Sequence, residues 1–542
     1  MTRLGACFTL MLAAASLASA LTAEEWIDFS APMVGAGGTG TAMGRGGSAG
    51  YYNPAGVASR PWEENYLQIQ FDIPVTFGAS LHGNSIRHIF DTVELANDLF
   101  DRFEEGAFNT GGGVDQDDFK FALGVFAALD SLDSLNGEGL YATTGAGIAG
   151  RFGKLLLPRD AIGFHIGGFG IGSINPIVDL DSLRGYRLTD ESAAGFESII
   201  GEAIAASGSG QTPSSSGGQQ FSADLQAAGY SAASADALAA WAEDSGLNFG
   251  GAAADILFDF LVNTLNGTGT SLESGANPLE GNGSGFLIRG LSYYEVGLSY
   301  GFGLPIPLLE DWFSFGVTVK LMQGYVYSEL LRIEDMDEDG IQDTLDRLQQ
   351  KATDAYRLDG AARTTVGIDL GFTFTPQLPG LNTLAISLVA RNVNGPEFRW
   401  KSPPPGDPNL IRFDTQVRAG AAYTLFGFIG LPLTFAIDMD LNRVASDIMP
   451  TYHTQFVRAG ITFEPQFGFF GFGVRIGALQ NLADAEQATT LTAGFGLRLF
   501  VIHLDFAGQM AVDTQNFGTT LDFEPLPQRA GFAIQLGVNV NF

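Results

Sequence analysis

Gly531-Phe532-Ala533-Ile534-Gln535-Leu536-Gly537-Val538-Asn539-Val540-Asn541-Phe542 decides the fold. Phe532, Ile534, Leu536, Val538, Val540 and Phe542 fall on one face of an extended strand. Ala533, Gln535, Gly537, Asn539 and Asn541 fall on the other. A sandwich strand also alternates, but here an aromatic residue of the apolar face stands last. One face for lipid and one for a polar lumen is what the closing strand of a transmembrane barrel requires.

Working back from this strand, thirteen further segments alternate. The fourteen spans are 66–81, 141–155, 160–178, 286–304, 311–330, 357–375, 382–394, 409–425, 431–443, 452–465, 469–480, 488–499, 501–512 and 528–542. Phe313, Phe315, Val317, Val319 and Leu321 oppose Ser314, Gly316, Thr318 and Lys320; such strict period-two patterning marks half-buried strands. The connections alternate too: 82–140 is long, 156–159 short, 179–285 very long, and so on to 513–527. Even strand number, short periplasmic turns and long outer loops are barrel rules. They put both chain ends in the periplasm of a bacterial cell with this chain in its outer membrane. The expected class is all-β, a 14-stranded antiparallel transmembrane barrel.

Composition agrees. No segment carries the long uncharged apolar run of a membrane helix, and mean hydropathy is only +0.13. Net charge is −32, from 28 basic and 60 acidic residues. Such an excess opposes nucleic-acid binding, which wants basic surface. Residues 1–20 read as a signal peptide: Arg3, an apolar run from Cys7 to Ala15, then Ala18-Ser19-Ala20. With Cys7 removed, the mature chain has no thiol for a disulfide or a sulfur metal site.

Two loops carry helical spacing. Ile86, Ile89, Phe90, Val93, Phe100 and Phe103 form one stripe, and Phe119, Leu123, Phe126 and Leu129 a second. Helices are also expected near 222–243 and 252–265, with Ile256, Leu257, Phe260, Leu261 and Leu265 as a stripe; packing the loops together is the expected role of these stripes, and ligand contact the alternative.

Residues 21–65 precede the first strand and are rich in glycine, ending in Tyr51-Tyr52-Asn53-Pro54-Ala55-Gly56. Gly37-Gly38-Thr39-Gly40 lacks the strand-to-helix context of a phosphate loop. Glycine allows close backbone approach, so a compact segment threading a tight space is expected. A signal peptide, a Gly/Ala-rich segment ending in Tyr52-Asn53-Pro54-Ala55-Gly56 and fourteen strands over 66–542 resemble the FadL-type outer-membrane proteins. Arg391-Asn392-Val393-Asn394-Gly395-Pro396-Glu397-Phe398 resembles the TraF-like and PorV-like branch. The resemblance implies that 21–65 is a hatch plugging the barrel. It implies passive uptake of hydrophobic compounds such as long-chain fatty acids. The alternative it leaves open is a plugged barrel scaffolding a conjugation or secretion system.

By parity the lumen receives Arg151, Lys320, Arg391, Arg412, Arg418, Arg458, Arg475 and Arg498. It also receives Asp72, Glu295, Asp369, Asp414, Asp438, Asp440, Glu464 and Asp505. Equal numbers of each sign point to paired charges in a filled lumen, because unpaired buried charge is costly; an open ion pore would show one sign. Bracing the wall explains the pairing as well as a working network does.

In the third strand the apolar parity shifts after Ile166, through Gly167-Gly168-Phe169-Gly170-Ile171-Gly172 to Asn175-Pro176. The shift predicts a bulge. In the FadL channels a kink there opens a side window, so the resemblance makes Gly167, Gly168, Gly170, Gly172, Asn175 and Pro176 a candidate lateral opening. Asp335, Asp337, Asp339, Asp343 and Asp346, with Gly340, follow calcium-loop spacing without the final Glu; a solvated acidic loop is the alternative. No further cofactor is expected. Nothing pairs a nucleophile with a base, so no enzymatic activity is expected. The expected partners are outer-membrane lipid, a hydrophobic small molecule and, on the scaffold alternative, a secretion or assembly protein.

Overall fold

The computed structural model describes residues 27–44, 46–58, 68–82, 126, 139–153, 159–177, 179, 181–188, 191–207, 212–271, 283–304, 306, 311–332, 343–344, 346–347, 350, 363–376, 383–399, 410–426, 429–449, 452–484, 487–515 and 526–541. The signal peptide, Arg45, the helices expected over 84–103 and most of the calcium-like loop (Asp335, Asp337 and Asp339 among it) lie outside them.

Fourteen strands form one closed antiparallel barrel. They are β1 Gln68–His82, β2 Gly139–Gly153, β3 Ala161–Ile177, β4 Gly285–Gly303, β5 Phe313–Arg332, β6 Arg363–Phe374 and β7 Leu384–Arg391, followed by β8 Gln416–Leu425, β9 Leu433–Asp440, β10 Phe456–Phe463, β11 Phe470–Asn481, β12 Thr490–Leu499, β13 Ile502–Ala511 and β14 Arg529–Asn541. Each pairs with its sequence neighbour, and β14 closes on β1 from Gln68↔Asn541 to Ser80↔Arg529. Closure leaves no unpaired sheet edge in lipid. The short turns place residues in the left-handed region, among them Arg159, Gly430, Gly468 and Phe500.

The opening stretch behaves as its alternation predicts. Phe532, Ile534 and Leu536 face outward, whereas Ala533 and Gln535 are buried inside. The same outward band continues through Val296, Leu298, Val319, Leu321, Ile437 and Ile476. Its rim at the short turns is aromatic: Phe302 and Phe315 lie 6.3 Å apart, Phe313 and Phe374 5.3 Å, Phe469 and Phe500 5.1 Å. Rings at that level suit a bilayer boundary. Leu536→Arg, near the middle of β14, is expected to destabilise the barrel by about 2–4 kcal/mol. The check is reversible unfolding in bilayers, and a cost near zero would mean that this face is wet.

Two expectations about the strands need correction. β3 contains no bulge: it pairs with β2 from Leu140↔Ile174 to Gly153↔Ala161 and with β4 from Ala161↔Gly301 to Ile177↔Gly285, both without a slip. No opening therefore separates Gly167, Gly168, Gly170, Gly172, Asn175 and Pro176 from their neighbours. The apolar parity changes because Phe169 and Ile171 point inward, into an interior that is itself apolar at that height. The eighth strand starts at Gln416, not at 409. Leu410–Arg412 instead pairs with Glu397–Arg399 in a separate hairpin, which leaves Arg412 and Asp414 exposed and bridged to each other at 3.6 Å.

The connection after β3 folds into a helical unit: α1 Ala193–Ser207, α2 Ser216–Ala228, α3 Ala232–Asp244 and α4 Ala252–Asn266. Ser215 and Ser231 cap α2 and α3, accepting bonds from Gly218 N (3.0 Å) and Ser234 N (3.2 Å), as N-cap serines do. Ile256, Leu257, Phe260 and Leu261 pack with Phe126, Phe196, Leu225 and Trp241, so the stripe binds the loops together. Helix α1 was not legible in sequence, since its Ala-, Gly- and Ser-rich face gives a weak stripe. Burial pushes the Tyr230 phenol up, which keeps it a donor to Leu261 O at 2.6 Å. No described helix is long and apolar enough to cross a membrane.

Candidate functional site

The site is the barrel interior. Residues 27–58, with 45 outside the description, pack against inward faces of strands all round the ring. They include short helices at Ala31–Gly35 and Ala49–Tyr52 and a 3-10 turn at Pro54–Val57. Ser30 Oγ donates to Gln535 on β14 (2.9 Å), Gly37 N to Thr492 on β12 (2.9 Å) and Thr41 N to Asp438 on β9 (2.8 Å). Ser48 N donates to Asp72 on β1 (3.0 Å), and Arg151 on β2 donates to Val57 O (2.6 Å). Buried backbone needs such partners when it cannot form a sheet.

Tyr52-Asn53-Pro54-Ala55-Gly56 forms the tightest seat. The Tyr52 hydroxyl accepts from Ser30 N at 3.0 Å, tying the two ends of the segment. The Asn53 side chain accepts from Ala55 N (2.9 Å) and donates to Thr41 O (2.8 Å) and Thr373 on β6 (3.1 Å). Pro54 lies on Gly301, Gly316 and Gly371, which face one another across β4, β5 and β6. A Cβ on Gly301 would stand 2.7 Å from Pro54 O, and one on Gly316 or Gly371 would collide with the Asn53–Ala55 backbone. Gly35 and Gly494 on β12 touch in the same manner. The wall is glycine where the segment's backbone rests on it.

Most of the predicted lumen charges fall into three groups. Glu295 meets Arg391 at 3.3 Å, Lys320 at 3.9 Å and His165 at 2.6 Å; Lys320 also meets Asp369 at 2.9 Å and Asn392 at 2.7 Å. Asp440 takes Arg418 at 2.6 Å and Arg458 at 3.1 Å, beside Asp438. Arg475 joins Asp505 and Glu464, both at 2.7 Å, near the Asp72–His503 pair at 3.2 Å. Arg498 is half-buried and donates to Phe500 O at 3.5 Å, apart from the three groups. His165 and Asn392 were missed as members. Both were findable: His165 has inward parity on β3, and Asn392 sits inside the quoted Arg391–Phe398 motif.

Above these charges runs an aromatic column. Ring centroids step from Phe398 to Phe413 (5.6 Å), to Tyr293 (5.2 Å), to Phe169 (5.2 Å), then to Phe29 (5.4 Å) and Tyr51 (5.8 Å). Arg391 stacks over Tyr51 at 4.4 Å, joining column and charge network. At the short-turn end lies a cavity of about 500 Å³. Its lining is mixed, with Gln70, Asp72, Arg475, His503 and Asp505 beside Met33, Met43 and Phe472. Asp343 and Asp346 are described, and no group of three or more metal-type ligands occurs among the described residues.

The family model described as "F plasmid transfer operon, TraF, protein" matches residues 50–440. No curated protein matches the chain. Solved structures similar to it include the TodX monoaromatic hydrocarbon channel deltaS2 mutant, at 10% identity and TM-score 0.37, covering 96% of this chain and 100% of that one. The Ralstonia pickettii toluene transporter TbuX is 12% identical at TM-score 0.37, covering 95% and 98%. A Pseudomonas aeruginosa FadL homologue is 8% identical at TM-score 0.37, covering 97% and 100%.

Proposed function

Given that this chain belongs to the F plasmid transfer operon TraF protein family, we propose that it is a plugged barrel of the bacterial outer membrane that passes hydrophobic compounds without an energy source. Both termini face the periplasm, residues 21–65 act as the hatch, and long-chain fatty acids are among the substrates. One observation carries the reading. The barrel's inside holds a continuous series of buried aromatic rings in edge-on and tilted contact, from the long-loop end down to the interior segment. Rings of this kind offer an apolar solute the contact that it gains by burial, once they part to admit it. The cavity beyond the hatch, with its mixed polar and apolar lining, would serve as a vestibule on the periplasmic side. Because β3 keeps its ladder, the route runs along the barrel axis past the hatch, not through the wall.

Liposome uptake of a radiolabelled fatty acid tests the proposal. The parent chain should transport, and Phe169→Asp should lower the rate at least tenfold, since each ~1.4 kcal/mol of added barrier is a factor of ten and an unpaired carboxylate in the column costs more. Absence of uptake by the parent removes the channel. The family's description supports a second reading, a scaffold for a conjugation or secretion system. Crosslinking from the helical unit that captures a transfer or secretion component would favour it.

A further inference from the structure

The connection from β9 to β10 bends into the barrel instead of away from it. Val444–Ala445 pairs with His453–Thr454 as the arms of a small hairpin. Within its tip Ser446 N donates to Tyr452 O (3.0 Å), Tyr452 N to Met449 O (2.8 Å) and Met449 N to Ser446 Oγ (2.9 Å). These bonds tie Ser446, Met449 and Tyr452 to one another. Ile448, Met449 and Tyr452 are nonetheless completely buried, in the same apolar cluster as Phe398, Ile411, Phe413 and Tyr293. Their anchorage lies on the far wall. Ser173 Oγ of β3 donates to Ile448 O at 3.0 Å, and the Tyr452 ring meets that of Tyr141 of β2, tilted, with centroids 4.5 Å apart. In the ring β9 and β3 stand six strands apart, close to diametrically opposite. The hairpin thus spans the mouth as a strap.

From this we propose that Ile448 and Met449 occupy a ligand site at the head of the aromatic column, and that an uncharged apolar molecule about the size of one aromatic ring binds there by displacing them. The inference rests on the channel reading and deepens it. Apolar contact holds the strap tip down, and apolar contact is what such a molecule offers in exchange. Arg391, which reaches the foot of the column, is engaged with Glu295, and Asp447, next to Ile448, accepts from Arg412 N at 3.0 Å, so these charges already have partners. A preformed apolar site accepts a compact hydrocarbon readily once its own side chains leave.

Met449→Cys tests this, since the mature chain is expected to hold no other thiol. In detergent the thiol should react slowly with a polar maleimide, and saturating benzene should raise the rate roughly tenfold by exposing the strap. Ser173→Ala, combined with Met449→Cys, should raise the rate without benzene by removing the tether while the barrel keeps its heat-dependent gel shift. A rate unaffected by benzene in both variants overturns the site, as does fast labelling of Met449→Cys at rest. A benzene-dependent rate in a protein that transports nothing in liposomes keeps the site and removes the channel.

Discussion

Valine at Gly316 is expected to unseat residues 27–58, the segment proposed as the hatch, while leaving the barrel folded. Gly316 stands between Gly301 and Gly371 in register, and all three bear on Pro54. The neighbour a new side chain would meet is backbone, not a flexible tip. That backbone is held by Asn53, whose amide is bonded to Thr41 O and Thr373. Nothing can give way locally, so the segment has to lift. Overpacking of this kind costs about 1–3 kcal/mol, enough to raise the unseated fraction by one to two orders of magnitude. Planar-bilayer recordings of Gly316→Val should show openings far more often than the parent, and residues 27–58 should become cleavable by protease. Gly168→Ala is the matching control: its Cβ would lie outside, at an ordinary 3.4 Å from the Tyr294 ring. Equal conductance in Gly316→Val and the parent would show that the hatch does not depend on this seat.

The row of glycines explains what could and could not be read beforehand. Barrel strands announce themselves, because lipid on one side and lumen on the other impose a period of two. All fourteen expected segments coincide with a strand, β6 starting six residues late and β8 seven. The match of inward glycines to hatch backbone was not legible. Gly301, Gly316 and Gly371 lie far apart in sequence, and only their register makes them a platform.

The same logic accounts for the third strand. A parity switch from Ile166 to Phe169 was read as a slip, on the premise that apolar side chains always face lipid. Phe169 turns inward because Phe29, Tyr51 and Tyr293 wait there. Inside a filled barrel the alternation reports the local lining as much as the membrane. Charges were easier to place: of the predicted set, Arg412 and Asp414 alone are clearly outside, since the chain there leaves the barrel for a hairpin.

Replacing Glu295 by leucine should be among the most costly single changes in the wall. Glu295 is fully buried and is shared by Arg391, Lys320 and His165. With it, the two cations face two carboxylates, Glu295 and Asp369. Without it, they face Asp369 alone, with no water to screen the surplus. Breaking a buried pair from one side costs about 3–5 kcal/mol, because the partner's charge stays behind unmatched. Lys320→Met removes the surplus, so Glu295→Leu with Lys320→Met should be more stable than Glu295→Leu alone, with a coupling of about 0.5–3 kcal/mol. Arg391 would then pair with Asp369, 3.9 Å away already, and keep its place over Tyr51. Urea unfolding in micelles of the four proteins gives the cycle directly. Additive losses would mean that solvent reaches the cluster, and the interior would then be a wet passage, not a sealed one.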